Sequence, residues 1–77
     1  MEQELKKILL SMGILETAIT ANAHLIYDLG LDSLDLTEFM MAVEEKLKIT
    51  IPSEDQETII RFGDLVRYAE NKAMTVN

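Results

Sequence analysis

The sequence predicts an all-α fold, a small four-helix bundle with three longer helices, one short helix and a long first loop. Apolar residues recur at helical spacing in separate stretches, and glycine and proline interrupt the pattern where helices should end. Length sets the scale: 77 residues make one domain, 1–77, with no room for a second core. A chain this short buries only about 60–65% of the surface its unfolded form exposes, so modest stability is expected.

Taken in order, Leu5, Ile8, Leu9 and Met12 follow the i, i+3, i+4, i+7 template of an amphipathic helix ending near Gly13. The stretch "ILETAITANAHLIYDLGL" comes next, 18 residues of weak periodicity. So long a loop in a compact domain is uncommon and hints at function. Ile19, Leu25, Ile26 and Leu29 are expected to pin it to the core. The strongest helical signal runs from Asp32 or Ser33 to about Leu47. Its core stripe reads Leu36, Met40, Val43 and Leu47, with Phe39 beside it. The opposite stripe reads Leu34, Glu38, Met41 and Glu45, alternating apolar and acidic residues in a way that solubility alone does not require. "ITIPSED" breaks the pattern: Pro52 restricts Ile51, and Ser53 is expected to cap a short helix over "EDQETII". In "FGDLVRYAENKA" a last helix is expected, with Asp64 as its N-cap, Phe62, Leu65, Val66 and Ala69 inward, and Tyr68 at the margin.

Composition excludes several function classes. Without cysteine there is no disulfide framework, thiolate metal site or cysteine nucleophile, which fits a reducing compartment. "MEQELKKILL" mixes charges into its apolar pattern, unlike a signal peptide, and no apolar run approaches the roughly 20 residues of a membrane span. A cytoplasmic location is expected. The net charge is −7, and no Lys or Arg occurs between Ile8 and Glu45. That segment holds Glu16, Asp28, Asp32, Asp35, Glu38, Glu44 and Glu45, while the remainder is neutral overall. Such a field repels nucleic acid and anionic lipid and steers basic protein surfaces toward it. A solubilising acidic face is the plain alternative; clustering around one motif favours a docking surface.

Catalysis finds little support. Ser33 lies in no GxSxG elbow, and the one histidine, His24, reads as a surface or loop residue with its hydrogen bonds met. The three glycines form neither a GxxxxGK nor a GxGxxG loop. An EF-hand register starting at Asp28 puts Ser33 where glycine belongs and Phe39 where glutamate belongs, so no metal site is specified. The sequence does offer a presentation site. With Asp32 as cap, Ser33 is the first helical residue and Asp35 occupies the third position, where a carboxylate suits the macrodipole. A phosphate ester on Ser33 would lie near unpaired N–H groups at the positive helix end, though the surrounding carboxylates oppose it. Local physics equally allows Ser33 to be an ordinary first-turn residue.

"DLGLDSL" followed by "EFMMAVEEKLKITIP" resembles the acyl carrier proteins, whose modified serine sits in an Asp-Ser-Leu motif opening the second helix. The likeness extends to the first helix, "NAHLIYDLG", "ITIP" and "FGDLVRYA". It implies that a phosphopantetheinyl transferase attaches 4′-phosphopantetheine from coenzyme A to Ser33, with Asp32 and Leu34 flanking the site for recognition. The arm would carry acyl groups as thioesters between enzymes, and the protein itself would be no enzyme. Asp35, Glu38, Met41, Glu44 and Glu45 fall on the surface that the family offers to basic patches of acyl-loading enzymes, ketosynthases and other synthase partners. Phe39, Met40 and Val43 would line the acyl cavity. Family members often place a polar residue and then an aliphatic one after "DSLD"; here Leu36 precedes Thr37, which leaves the cargo open between fatty-acid and polyketide chains. A monomer with no metal, nucleic-acid or membrane partner is expected. The alternatives are a non-covalent acidic helical adaptor, in which Ser33 is helix punctuation, and a peptidyl or aminoacyl carrier, which "GLDSL" favours less.

Overall fold

A computed structural model describes the backbone of residues 1–75 and the side chains of residues 1–72. Its elements are α1 (Glu2–Ser11), α2 (Ser33–Leu47), α3 (Ser53–Gln56) and α4 (Phe62–Thr75), with one 3-10 turn at Glu16–Ala18 in the first loop. Among the described residues there is no strand, and no helix is long and apolar enough to cross a membrane. The helical bundle is the predicted fold.

The core forms as the sequence stripes require. Leu5 and Leu9 of α1 meet Phe39, Met40 and Val43 of α2, and Phe62, Leu65 and Ala69 of α4 complete the buried set. Leu36, Leu47 and Val66 are half-buried at its edge. Burying one such leucine or phenylalanine contributes about 1.5–3 kcal/mol, which is how stripes of three or four residues hold short helices together. No buried side-chain nitrogen or oxygen lacks a hydrogen bond among the described residues. Chain reversals use left-handed backbone: Gly13 follows α1 at φ 94°, and Lys48 ends α2 at φ 57° with its N–H returned to the Glu44 carbonyl.

The first loop is long but not loose. Gly63 N–H donates to the Ala21 carbonyl at 2.9 Å, Phe62 N–H to Ala23 at 2.9 Å, and Leu25 N–H to the Ile60 carbonyl at 3.0 Å. His24 and Arg61 form an antiparallel bridge inside this ladder, and Arg61 Nη1 donates to the Asn22 carbonyl at 2.6 Å. The loop is therefore zipped onto the α3–α4 connection by its backbone. Gly63 permits it: a Cβ there would stand 2.9 Å from the Ala21 carbonyl oxygen, closer than real Cβ atoms approach backbone.

Three expectations are corrected. Ser53 is the first residue of α3, whose N-cap is Pro52 without a side-chain cap, and α3 stops at Gln56 rather than spanning "EDQETII". α4 starts at Phe62, so Asp64 lies inside its first turn; its Oδ2 accepts N–H groups of Arg61 at 3.0 Å and Ile60 at 3.3 Å. The carboxylate still satisfies helix-end donors, by reaching back instead of forward. Ile26 is exposed rather than a pin, lying in the turn that its N–H closes onto His24 Nδ1; Ile19, Leu25, Leu29 and Leu31 are buried.

Candidate functional site

Ser33 opens α2 immediately after its cap. Asp32 has extended backbone, and its Oδ1 accepts the Asp35 N–H at 2.8 Å, while Asp35 Oδ2 takes the Asp32 N–H at 3.4 Å. This reciprocal capping box uses two of the helix-end donors. The Leu36 N–H reaches the Asp32 carbonyl at 2.9 Å as the first helical bond. The N–H groups of Ser33 and Leu34 are left without a protein partner among the described residues. Ser33 is exposed, and its hydroxyl makes no hydrogen bond among those residues; the neighbouring Thr37 hydroxyl caps back onto the Ser33 carbonyl at 2.9 Å. An unengaged hydroxyl beside two open amides at the positive end of a fifteen-residue helix can accept a phosphodiester without breaking any existing bond. In that respect the site fits a phosphopantetheine ester.

The outward stripe of α2 lies on the surface as its spacing requires. Leu34 is 67% and Met41 62% exposed, and Glu38 and Glu45 are exposed beside them. The other two acids on the expected partner surface are engaged within the chain. Asp35 is in the capping box, and Glu44, half-buried, accepts the Ile51 N–H through Oε2 at 2.7 Å. The family resemblance put them on the same surface as Glu38, but it could not reveal the main-chain donors that claim them.

Phe39, Met40 and Val43 are all but fully buried in the packed core. An apolar groove of about 220 Å³ instead opens between the first loop, the start of α2 and the α3 region. Its walls include His24, Leu25, Ile26, Leu36, Ile59 and Ile60. Leu36 stands one helical turn after Ser33, so groove and hydroxyl are neighbours along α2. Ile59 and Ile60 gave no sequence signal of this kind: they fall between two helices, and only the ladder brings them to Leu25.

His24 is a loop residue, as expected, with its main chain and one ring nitrogen engaged. Its Nδ1 accepts the N–H groups of Ile26 and Tyr27, both at 3.1 Å, and its own N–H donates to Asp28 Oδ2 at 2.7 Å. Elsewhere Tyr68 Oη donates to Asp55 Oδ2 at 2.6 Å, joining α4 to α3. Partial burial, with the Asp55 carboxylate accepting its proton, pushes the Tyr68 phenol up to about 12. Among the described residues no group of three or more His, Asp or Glu could hold a metal ion.

A family model described as a phosphopantetheine attachment site matches residues 3–69. Relatives named acyl carrier protein, from two strains of Helicobacter pylori and from Helicobacter acinonychis, are each 46% identical over 56 residues. The match covers 73% of this chain and 72% of each relative.

Proposed function

The chain belongs to the acyl carrier proteins, the family that carries covalent 4′-phosphopantetheine, and from that premise we propose that Ser33 is the attachment residue and that residues 1–77 act as one carrier domain. The observation that carries this reading is the exposed, unengaged Ser33 hydroxyl on the first turn of a helix capped by its own neighbours. When bound, 4′-phosphopantetheine supplies a terminal thiol that holds acyl groups as thioesters, a thiol this cysteine-free chain lacks. Ser33 Oγ is the ester oxygen. Asp32 fixes the turn that presents it, and the open Ser33 and Leu34 amides would offer hydrogen-bond donors to the phosphate. The Leu34 side chain, exposed beside the serine, is available to the transferase that modifies it.

The protein is a carrier and no enzyme in this reading. No base is hydrogen-bonded to Ser33 among the described residues, and His24 directs its Nδ1 to two amides of its own turn. Glu38, Met41 and Glu45 form the docking stripe for basic patches on loading and chain-extending enzymes of fatty-acid or polyketide type, in the cytoplasm. Asp35 and Glu44 contribute charge to that face while their hydrogen bonds hold the cap and the Ile51 segment. The groove at Leu36 receives the acyl chain in preference to the space around Phe39, Met40 and Val43, because entry there would require prising open a packed core, whereas the groove is already open.

Mass spectrometry of the intact protein incubated with coenzyme A and a phosphopantetheinyl transferase tests the assignment. Wild type should gain one 4′-phosphopantetheine, and Ser33→Ala none. An unmodified wild type, or a modified Ser33→Ala, would return Ser33 to helix punctuation.

A further inference from the structure

His24 carries chemistry that neither the cap nor the docking stripe uses. A ring nitrogen that accepts two N–H groups bears no proton, so the bonds from Ile26 and Tyr27 to Nδ1 leave the ring N–H at Nε2. The Tyr27 ring, 4.3 Å away between centroids, and the bond from the His24 main chain to Asp28 hold the imidazole in place. Nε2–H has no hydrogen-bond partner among the described residues, yet His24 lines the groove with Ile26, Leu36 and Ile60. The polar residues beside it are differently disposed. Gln56 donates from its amide to the Ile51 carbonyl at 2.9 Å, and Glu57, when ionised, can only accept.

We propose that His24 Nε2–H donates a hydrogen bond to an oxygen of the chain tethered at Ser33, making His24 a positioning residue that selects for acceptor-bearing contents of the groove. The oxygen is either an amide carbonyl of the arm or an oxo or hydroxyl oxygen of its acyl cargo. The inference rests on Ser33 as the attachment site and on the groove as the resting place of the chain. An apolar chain laid over the ring without an acceptor strands a donor that water had satisfied, so acceptor-bearing chains should be favoured by about tenfold over saturated ones. His24 thereby does two things through two nitrogens, closing its own turn with one and reading the cargo with the other.

NMR of the carrier in four forms tests this: unmodified, phosphopantetheinylated, octanoyl-loaded and 3-oxo-octanoyl-loaded. The imidazole Nε2 resonance should move on modification if the arm supplies the oxygen, or only with the 3-oxo chain if the cargo does. An Nε2 resonance unmoved in all loaded forms overturns the proposal. Methyl resonances of Leu36, Ile59 and Ile60 report the groove separately: if they move with octanoyl loading while Nε2 stays still, the groove reading survives and the role of His24 falls. If they stay still in both acyl forms, the groove reading itself falls. Two variants separate positioning from turn closure. His24→Gln retains a donor at similar reach and loses the Nδ1 acceptor, whereas His24→Asn retains an acceptor for the two amides and loses the reach. The methyl shifts produced by whichever form moves the wild-type Nε2 resonance should persist in His24→Gln and vanish in His24→Asn; the reverse pattern would assign His24 to turn closure alone.

Discussion

Replacing Tyr68 by Phe removes one oxygen and leaves the rest of the contact. The ring remains packed against the core, and Lys72 Nζ remains 5.7 Å above its centroid. What is lost is the 2.6 Å hydrogen bond from the phenol to Asp55, the side-chain link from α4 to α3. A hydrogen bond to a charged acceptor is worth about 1.5–3 kcal/mol, and partial solvent access reduces it to roughly 1–1.5 kcal/mol. Burial first, and then the bond and charge of Asp55, raise the phenol from 10.0 to about 12. For a domain of this length the thermal midpoint should fall by about 5–10 °C at neutral pH. The sign of the pH dependence follows from linkage. The folded state holds the proton more tightly than the unfolded state, so the contribution is fully present below pH 10 and is lost as pH rises toward 12. Thermal unfolding of wild type and Tyr68→Phe, followed by circular dichroism from pH 7 to 11.5, measures the difference directly. Background effects of alkali on lysines are common to both proteins. Equal midpoints at pH 7, or a gap that stays constant through pH 11.5, would refute the reasoning.

Other outcomes follow from the same geometry. Gly63→Ala forces a Cβ against the Ala21 carbonyl and should cost about 1–3 kcal/mol in denaturant unfolding, with faster amide exchange at Leu25 and Phe62. Asp32→Ala removes the cap and should destabilise the protein by about 0.5–2 kcal/mol; unchanged stability would mean that the capping box contributes nothing. Replacing both Glu38 and Glu45 by Gln should slow association with a basic partner enzyme at low salt and leave thermal stability unchanged, because neither makes a hydrogen bond among the described residues. Equal association rates in stopped flow would remove electrostatic steering from the account.

The helices were legible because each writes its burial as a period. Leu5 and Leu9, or Phe39, Met40 and Val43, need no partner's identity to declare which side faces inward. Capping by Asp32 was legible for the same reason, since donor and acceptor lie three residues apart. Asp64 was misread because a carboxylate two residues inside a helix can satisfy the same donors as one in front of it. Ser53 had the right residue type for a cap, but Pro52 already supplied the extended entry. What could not be read was contact between main chains. The ladder joining residues 21–25 to residues 60–63 uses N–H and C=O groups that every residue has, so neither the burial of Ala23 nor the pairing of Leu25 with Ile60 left a mark in side-chain pattern. The groove inherits that blindness, because its far wall exists only where the ladder closes. The engagement of Glu44 by Ile51 was hidden likewise, behind a main-chain donor seven residues away.

The ladder also sets an order of events in the life of the chain. The first loop and the Ser33 turn lie in the first half of the sequence, and the strip that closes the loop is synthesised about forty residues after it. A chain that has not yet produced Ile60 to Gly63 has nothing to hold its first loop shut. An enzyme that reads the finished shape therefore meets it only after Gly63 has been added, and a chain cut short before that point would present Ser33 without the closed loop beside it.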